Sequence, residues 1–219
     1  MAARSSDPLT AATSSILIPE LRLHGFRRKT NRLIARIQDD ILQFFDLQLE
    51  AYGSKGFCVN YASLSLFCPR DYLILQPGAR LKWENSAEAW LPAKTHAEAD
   101  ASMAKVVNMA QTQALPFFDA TKSVAGLLEC LNGEKWASRH HLYLDIAFCE
   151  AREGRFDDAK SHALQAIDLY REDGRSWCPE HIELCQRLIG GIESNKLAEL
   201  FQSWIDHSVG KLGLSKIRQ

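Results

Sequence analysis

Between Gly25 and Phe67 apolar and polar residues alternate in successive runs, separated by short charged or glycine-containing breaks. Side chains along a strand point alternately to opposite faces, so a period of two reads as a half-buried strand. Phe45, Leu47 and Leu49 then line one side and Asp46, Gln48 and Glu50 the other, which predicts an antiparallel sheet with one dry face and one wet face. Phe26–Lys29 and Leu33–Ile37 form its first hairpin around Thr30 and Asn31. Asp39 and Asp40 make the next turn, Ile41–Ala51 the longest strand, and Phe57–Phe67 the return strand after the glycines at 53 and 56.

The period changes on either side of this sheet. Leu9, Ile16, Leu17, Leu21 and Leu23 make a loosely helical set interrupted at Pro19, with Gly25 closing it. From Glu98 onward Met103, Val106, Val107, Ala110 and Ala114 recur at helical spacing, which stacks them on one side of a helix suited to the dry face. Pro116 is expected to kink or restart that helix, and Ser123 to cap a short one through Leu131. Beyond it the chain reads as helix throughout. Trp136–Glu153 and Phe156–Tyr170 flank Gly154 closely enough to lie antiparallel, Pro179 starts a third helix to about Leu188, Gly190 and Gly191 break it, and Asn195 caps a last one. The fold class is therefore α+β: a sheet of about four strands packed by N-terminal and central helices, then an all-α extension. Residues 1–8 read as a disordered start, 9–131 as the sheet domain and 132–219 as the extension.

Composition narrows the function. The 219 residues are 46% hydrophobic and 24% charged, with a net charge of -1 and a mean hydropathy of -0.21, an ordinary globular balance. That charge argues against a general nucleic-acid binder, because phosphate backbones select summed positive charge. The chain carries no apolar run of the length a membrane span needs, and Asp7 and Pro8 spoil the faint transit-peptide character of Met1–Ser15. Cysteines 58, 68, 130, 149, 178 and 185 fall mostly in strand or helix interiors, where thiols behave as small apolar groups, so a reducing cytoplasm is expected.

Two resemblances arise from particular residues. His24-Gly25-Phe26-Arg27-Arg28-Lys29, the strands through Phe44, Phe45 and Leu47 to Val59 and Asn60, and Ala114-Leu115-Pro116-Phe117-Phe118-Asp119 together resemble the bacterial family known as domain of unknown function 4304, over about residues 9–131. The resemblance implies a hairpin sheet closed by a Leu-Pro-Phe helix; it implies no activity. Gly154, Phe156, Ala159 and Ala166, with Ala147 before them, resemble one tetratricopeptide-like helix pair near residues 138–171, without a second copy at the usual period of about 34 residues. A docked helical appendage is expected rather than a peptide-binding superhelix.

Candidate binding residues follow from charge. Arg27, Arg28, Lys29, Arg32 and Arg36 make the densest basic run, suited to an acidic protein partner, although such a run also serves simply as a charged hairpin edge. Asp46, Gln48 and Glu50 on the wet face and Trp83 and Trp90 in the irregular segment complete the set; Trp136 and Trp204 read as core. Cys178, His181 and Cys185 fall at i, i+3 and i+7 and offer thiolate and imidazole ligands for zinc, but core packing explains the stripe better. His140 and His141, with Asp145 a turn on, read as a surface pair. No phosphate loop, nucleophile elbow or paired-histidine helix is present, and no cofactor is implied. The expectation is a non-enzymatic protein-binding protein, by class analogy an immunity protein that neutralises a toxin. A metal-dependent or cysteine/histidine hydrolase and a peptide-binding helical scaffold are the alternatives.

Overall fold

The computed structural model describes residues 7–51, 56–83, 90–133 and 138–218. The turn expected at Tyr52–Gly56 and the core reading of Trp136 lie mostly or wholly outside them. Helices α1 (Pro8–Ala12) and α2 (Ile18–Arg22) are joined without a break by a π-helical turn over Thr13–Leu17. The same device joins α3 (His96–Met109) to α4 (Leu115–Ala120) through a π-turn over Ala110–Ala114. Each wider turn contains the residue four before a proline, Ser15 before Pro19 and Thr112 before Pro116. A proline ring clashes with that carbonyl and removes the hydrogen bond to it, and a π-turn relaxes both demands. The helices therefore run on through the prolines instead of stopping at them.

Among the described residues six strands form the sheet: β1 (Arg27–Arg28), β2 (Leu33–Gln38), β3 (Ile41–Leu49), β4 (Gly56–Ser65), β5 (Gly78–Arg80) and β6 (Leu91–Pro92). Strands β1 to β5 lie in chain order, all antiparallel, and β6 pairs with the start of β4. The two short strands beyond the expected four come from the irregular segment. Asp39 and Asp40 make the β2–β3 turn with φ of 50° and 58°, the left-handed geometry that favours Asn, Asp and Gly in two-residue hairpins. Gly25 closes α2 at φ 80°, its N–H donating to the Arg22 carbonyl at 3.0 Å.

The first face of the sheet is dry, as expected. Ile34, Phe45, Leu47, Phe57, Val59 and Tyr61 pack against Leu17, Leu21, Met103, Val106, Ala110 and Phe118. Phe26, Phe45 and Phe118 meet pairwise with ring centroids 5.2 Å apart. The buried Gln43 on this face is satisfied, donating to the Phe118 carbonyl at 2.7 Å and accepting from Arg36 Nε at 2.7 Å.

The second face overturns the expectation of a wet one. Its residues Leu33, Ala35, Leu42, Phe44, Ala62 and Leu64 share one continuous core with Phe148, Tyr170, Phe201 and Trp204 of the C-terminal helices. All ten residues of β4 are buried, the mark of a strand covered on both sides. The covering helices are α5 (Val124–Gly133), α6 (Arg139–Arg152), α7 (Phe156–Asp173), α8 (Cys178–Glu193) and α9 (Leu197–Lys211). Ser123 caps α5, its hydroxyl accepting from the Gly126 N–H at 3.2 Å. Helix α8 does not break at Gly190 and Gly191. A Cβ at Gly191 would stand 2.4 Å from Leu200 Cδ1 of α9, so this glycine serves close helix approach. Asn195 takes φ 56° in the turn before α9 instead of capping it, and Lys196 holds the cap position without a side-chain bond.

Candidate functional site

Three surface regions carry the candidate residues. The basic run divides by use. Arg28 donates to the Thr30 carbonyl, to Ser14 Oγ at 2.7 Å and to Asn31 Oδ1 at 2.6 Å, tying the hairpin to the first helical stretch. Lys29 donates to the Leu212 carbonyl at the far end of the chain. Arg36 lies over the Phe26 ring at 4.6 Å and bonds Gln43 and the His24 carbonyl. Three of the five expected binding cations thus hold the fold together. Arg27 and Arg32 are exposed and have no side-chain partner among the described residues, and Arg22 joins them. A groove of about 520 Å³ runs along this corner, lined by Arg22, Gly25, Phe26, Arg27 and Arg28. Leu23 beside it is 80% exposed.

The wet face survives only at one end of the second face. Asn60 and Arg80 pair across β4 and β5, and Asp46 and Gln48 lie opposite on β3. Arg80 donates to Asn60 Oδ1 and to Gln48 Oε1, both at 3.1 Å, and lies over the Trp90 ring at 5.3 Å. Asn60 in turn reaches Gln48 at 3.4 Å. Glu50 closes the hairpin through its backbone N–H to the Gly56 carbonyl at 2.9 Å. Trp83 is surface-exposed under Lys105, whose Nζ lies 4.8 Å from the ring centroid. The patch is internally bonded.

The third region is a cavity of about 570 Å³ at the seam between the loop after β4 and the C-terminal helices. Pro69, Arg70, Asp71 and Tyr72 form one wall, α8 another through Trp177, Glu180, His181, Glu183, Leu184 and Arg187, and His141 and His207 close it. On α8 the wall residues recur every three or four positions, the spacing of one helix face. The loop is fastened by Ser208, which accepts from the Arg70 N–H at 3.1 Å and donates to the Leu66 carbonyl at 2.9 Å. Asp71 bonds His207 Nε2 at 2.7 Å.

Behind the cavity lies an aromatic cluster. The Trp177 and His141 rings stack at 5.2 Å and 18°, His181 meets His141 at 5.2 Å, and Tyr170 Oη bonds His141 Nδ1 at 2.8 Å. Burial, with His140, His181, Arg70 and Arg175 nearby, lowers the His141 pKa to about 4. His141 is therefore neutral near pH 7. Burial also lowers His140, with Asp173 pulling the other way. Arg70 forms a buried ion pair with Asp145. Burial opposes the charged guanidinium, but the carboxylate more than offsets it and holds Arg70 above its usual range.

This arrangement corrects the reading of His140, His141 and Asp145 as a surface pair. His140 and Asp145 are buried, and Asp145 belongs to Arg70 of a distant loop. Cys178 and Cys185 point into the core while His181, roughly 40–60° round the helix from them, reaches the cavity. Burial pushes the Cys185 thiol up to about 12, which leaves almost no thiolate for nucleophilic chemistry near neutral pH. Among the described residues no group of three or more His, Cys, Asp and Glu side chains is placed to hold a metal ion. No helix among them is long and apolar enough to cross a membrane. Arg70, Tyr72, Glu180, Glu183, Arg187 and His207 escaped the sequence reading, because a cavity wall assembled from distant segments has no period.

Residues 17–120 match the model of the family described as Domain of unknown function (DUF4304). The match runs from the end of the first π-turn to the end of α4, so it takes in the sheet and α2–α4 and leaves α1 and α5–α9 outside. No curated protein and no solved structure matches the chain.

Proposed function

Starting from a chain whose residues 17–120 resemble a family that brings no activity with it, we propose a non-enzymatic protein-binding protein whose basic β1 corner receives an acidic segment of its partner. One observation carries the reading: Arg22 and Arg27 stand exposed along a groove, with the exposed Arg32 in the same hairpin, in a chain of net charge -1, while the neighbouring cations Arg28, Lys29 and Arg36 are spent on the fold. Arginine's planar fork suits carboxylates, and an exposed Leu23 adds an apolar contact within the charged rim. Within that class the role is that of an immunity protein masking the acidic surface of a toxin. Cys58, Cys68, Cys149, Cys178 and Cys185, buried free thiols, support a reducing, cytoplasmic setting.

Co-expression with a toxin encoded beside this chain tests the proposal. The unaltered protein is expected to co-purify with it and protect the cells, and Arg27→Glu/Arg32→Glu to lose both properties while melting normally. Unchanged protection by the folded double variant sinks the basic-corner reading.

A further inference from the structure

The seam cavity differs from the β1 corner in kind. Its floor holds Arg70, whose side chain is only 10% exposed. Nη2 is taken by Asp145, but Nε is buried without an acceptor. A guanidinium carries five donor hydrogens, and a buried donor left unmatched is costly. Beside it the His141 and His181 rings stand 5.2 Å apart. Burial first, then His140, His181, Arg70 and Arg175, disfavour protonation of His141; Arg175 is paired with Asp173 and Arg70 with Asp145, so the donors of Arg70 left open, rather than net charge, are what an anion meets here.

The rest of the wall selects among anions. Glu180 and Glu183 are exposed at the mouth with no partner among the described residues, which penalises a multiply charged phosphate. Asp71 is engaged by His207 Nε2 at 2.7 Å, and Arg187 lies over the Trp204 ring at 5.6 Å. Trp177, Leu184 and the 64%-exposed Tyr72 offer apolar surface for an uncharged body. About 570 Å³ falls within the range that holds small molecules.

We propose that this cavity binds a small organic carboxylate with an apolar body, its carboxylate between Arg70 and the His141–His181 pair and its body against Trp177, Leu184 and Tyr72. The site is separate from the basic β1 corner, so charge reversal at Arg27 and Arg32 leaves it intact and the two ideas fail independently.

The test titrates 3-phenylpropionate, its neutral amide and 3-phenylpropylamine into the full chain at pH 7, reading the ring signals of His141 and His181 by NMR. The carboxylate is expected to move both rings and to bind at least about tenfold more tightly than the amide or the amine, the effect of one charge-assisted bond. Arg70→Lys keeps the charge beside Asp145 but loses the fork, and should abolish that preference. Glu180→Gln/Glu183→Gln, on the exposed side of α8, should tighten carboxylate binding about threefold by removing like charge. Equal or tighter binding of the amine overturns the proposal, as does the absence of any ring shift with the carboxylate up to about 20 mM. Weaker carboxylate binding in the double glutamine variant overturns it too, whether or not Arg70→Lys folds.

Discussion

The two faces of one sheet are closed in different ways. Against the first, α1–α4 lay aromatic and aliphatic side chains, and its buried polar groups, Gln43, Ser63 and Thr121, bond one another or the end of α4. Against the second, α5–α9 cover only the half around Leu42, Phe44 and Leu64. They leave a polar patch at Gln48, Asn60 and Arg80, and a cavity floored by a buried ion pair. An interface that is mostly apolar, with its few polar groups bonded to one another, fixes a fold and offers little to a ligand. The mixed interface retains buried charge, which is where recognition chemistry resides.

The difference can be broken most severely by removing the second cover. Residues 1–122 alone, which lack α5–α9, expose Phe44, Leu42, Ala62 and Leu64 together, a patch expected to drive aggregation. Size-exclusion chromatography should show no soluble monomer; a cooperatively melting monomer would mean that α5–α9 are a dispensable appendage. Next in size is Asp145→Ala, which strands the Arg70 charge in the core and should cost about 3–5 kcal/mol by denaturant unfolding. A hydrophobic pair, Arg70→Met with Asp145→Leu, should recover most of that loss. On the same side, Gly191→Ala forces a methyl toward Leu200 and should cost about 1–3 kcal/mol.

The pH response sharpens the contrast further. His141 sits near 4 in the fold against 6.5 in its ordinary state, so between these values the unfolded chain binds a proton that the folded chain refuses. Its contribution is fully present above pH 6.5 and is lost as the pH falls toward 4. Melting temperatures across that window should drop less in His141→Gln than in the unaltered protein. Smallest of all, Arg27→Glu/Arg32→Glu should change stability by no more than about 0.5 kcal/mol, because neither side chain is part of the packing.

These contrasts also show what was legible in the sequence. The alternation through Phe45, Leu47, Val59 and Tyr61 and the helical spacing of Met103, Val106 and Ala110 specify the first face nearly in full, because each period directly records one buried side. The second face misled. Asp46, Gln48 and Glu50 alternate in the polar sense at the far end of β3, while its nearer end places Leu42 and Phe44 on that same face. Alternation cannot say which half of a face a distant helix will cover. The glycines at 190 and 191 read as breakers for a similar reason, since the demand at Gly191 comes from α9. At the β1 corner the charge was visible, but which cations are spent depended on Ser14, Leu212 and Phe26, contacts that only the fold creates.

The most direct test of the corner's proposed role is hydrogen exchange on the full chain with and without the toxin proposed as its partner. Slowed exchange is predicted over residues 22–32, with the Gln48–Arg80 patch and α8 unchanged. Protection confined to α8 or to that patch, with residues 22–32 exchanging as in the free protein, would contradict it.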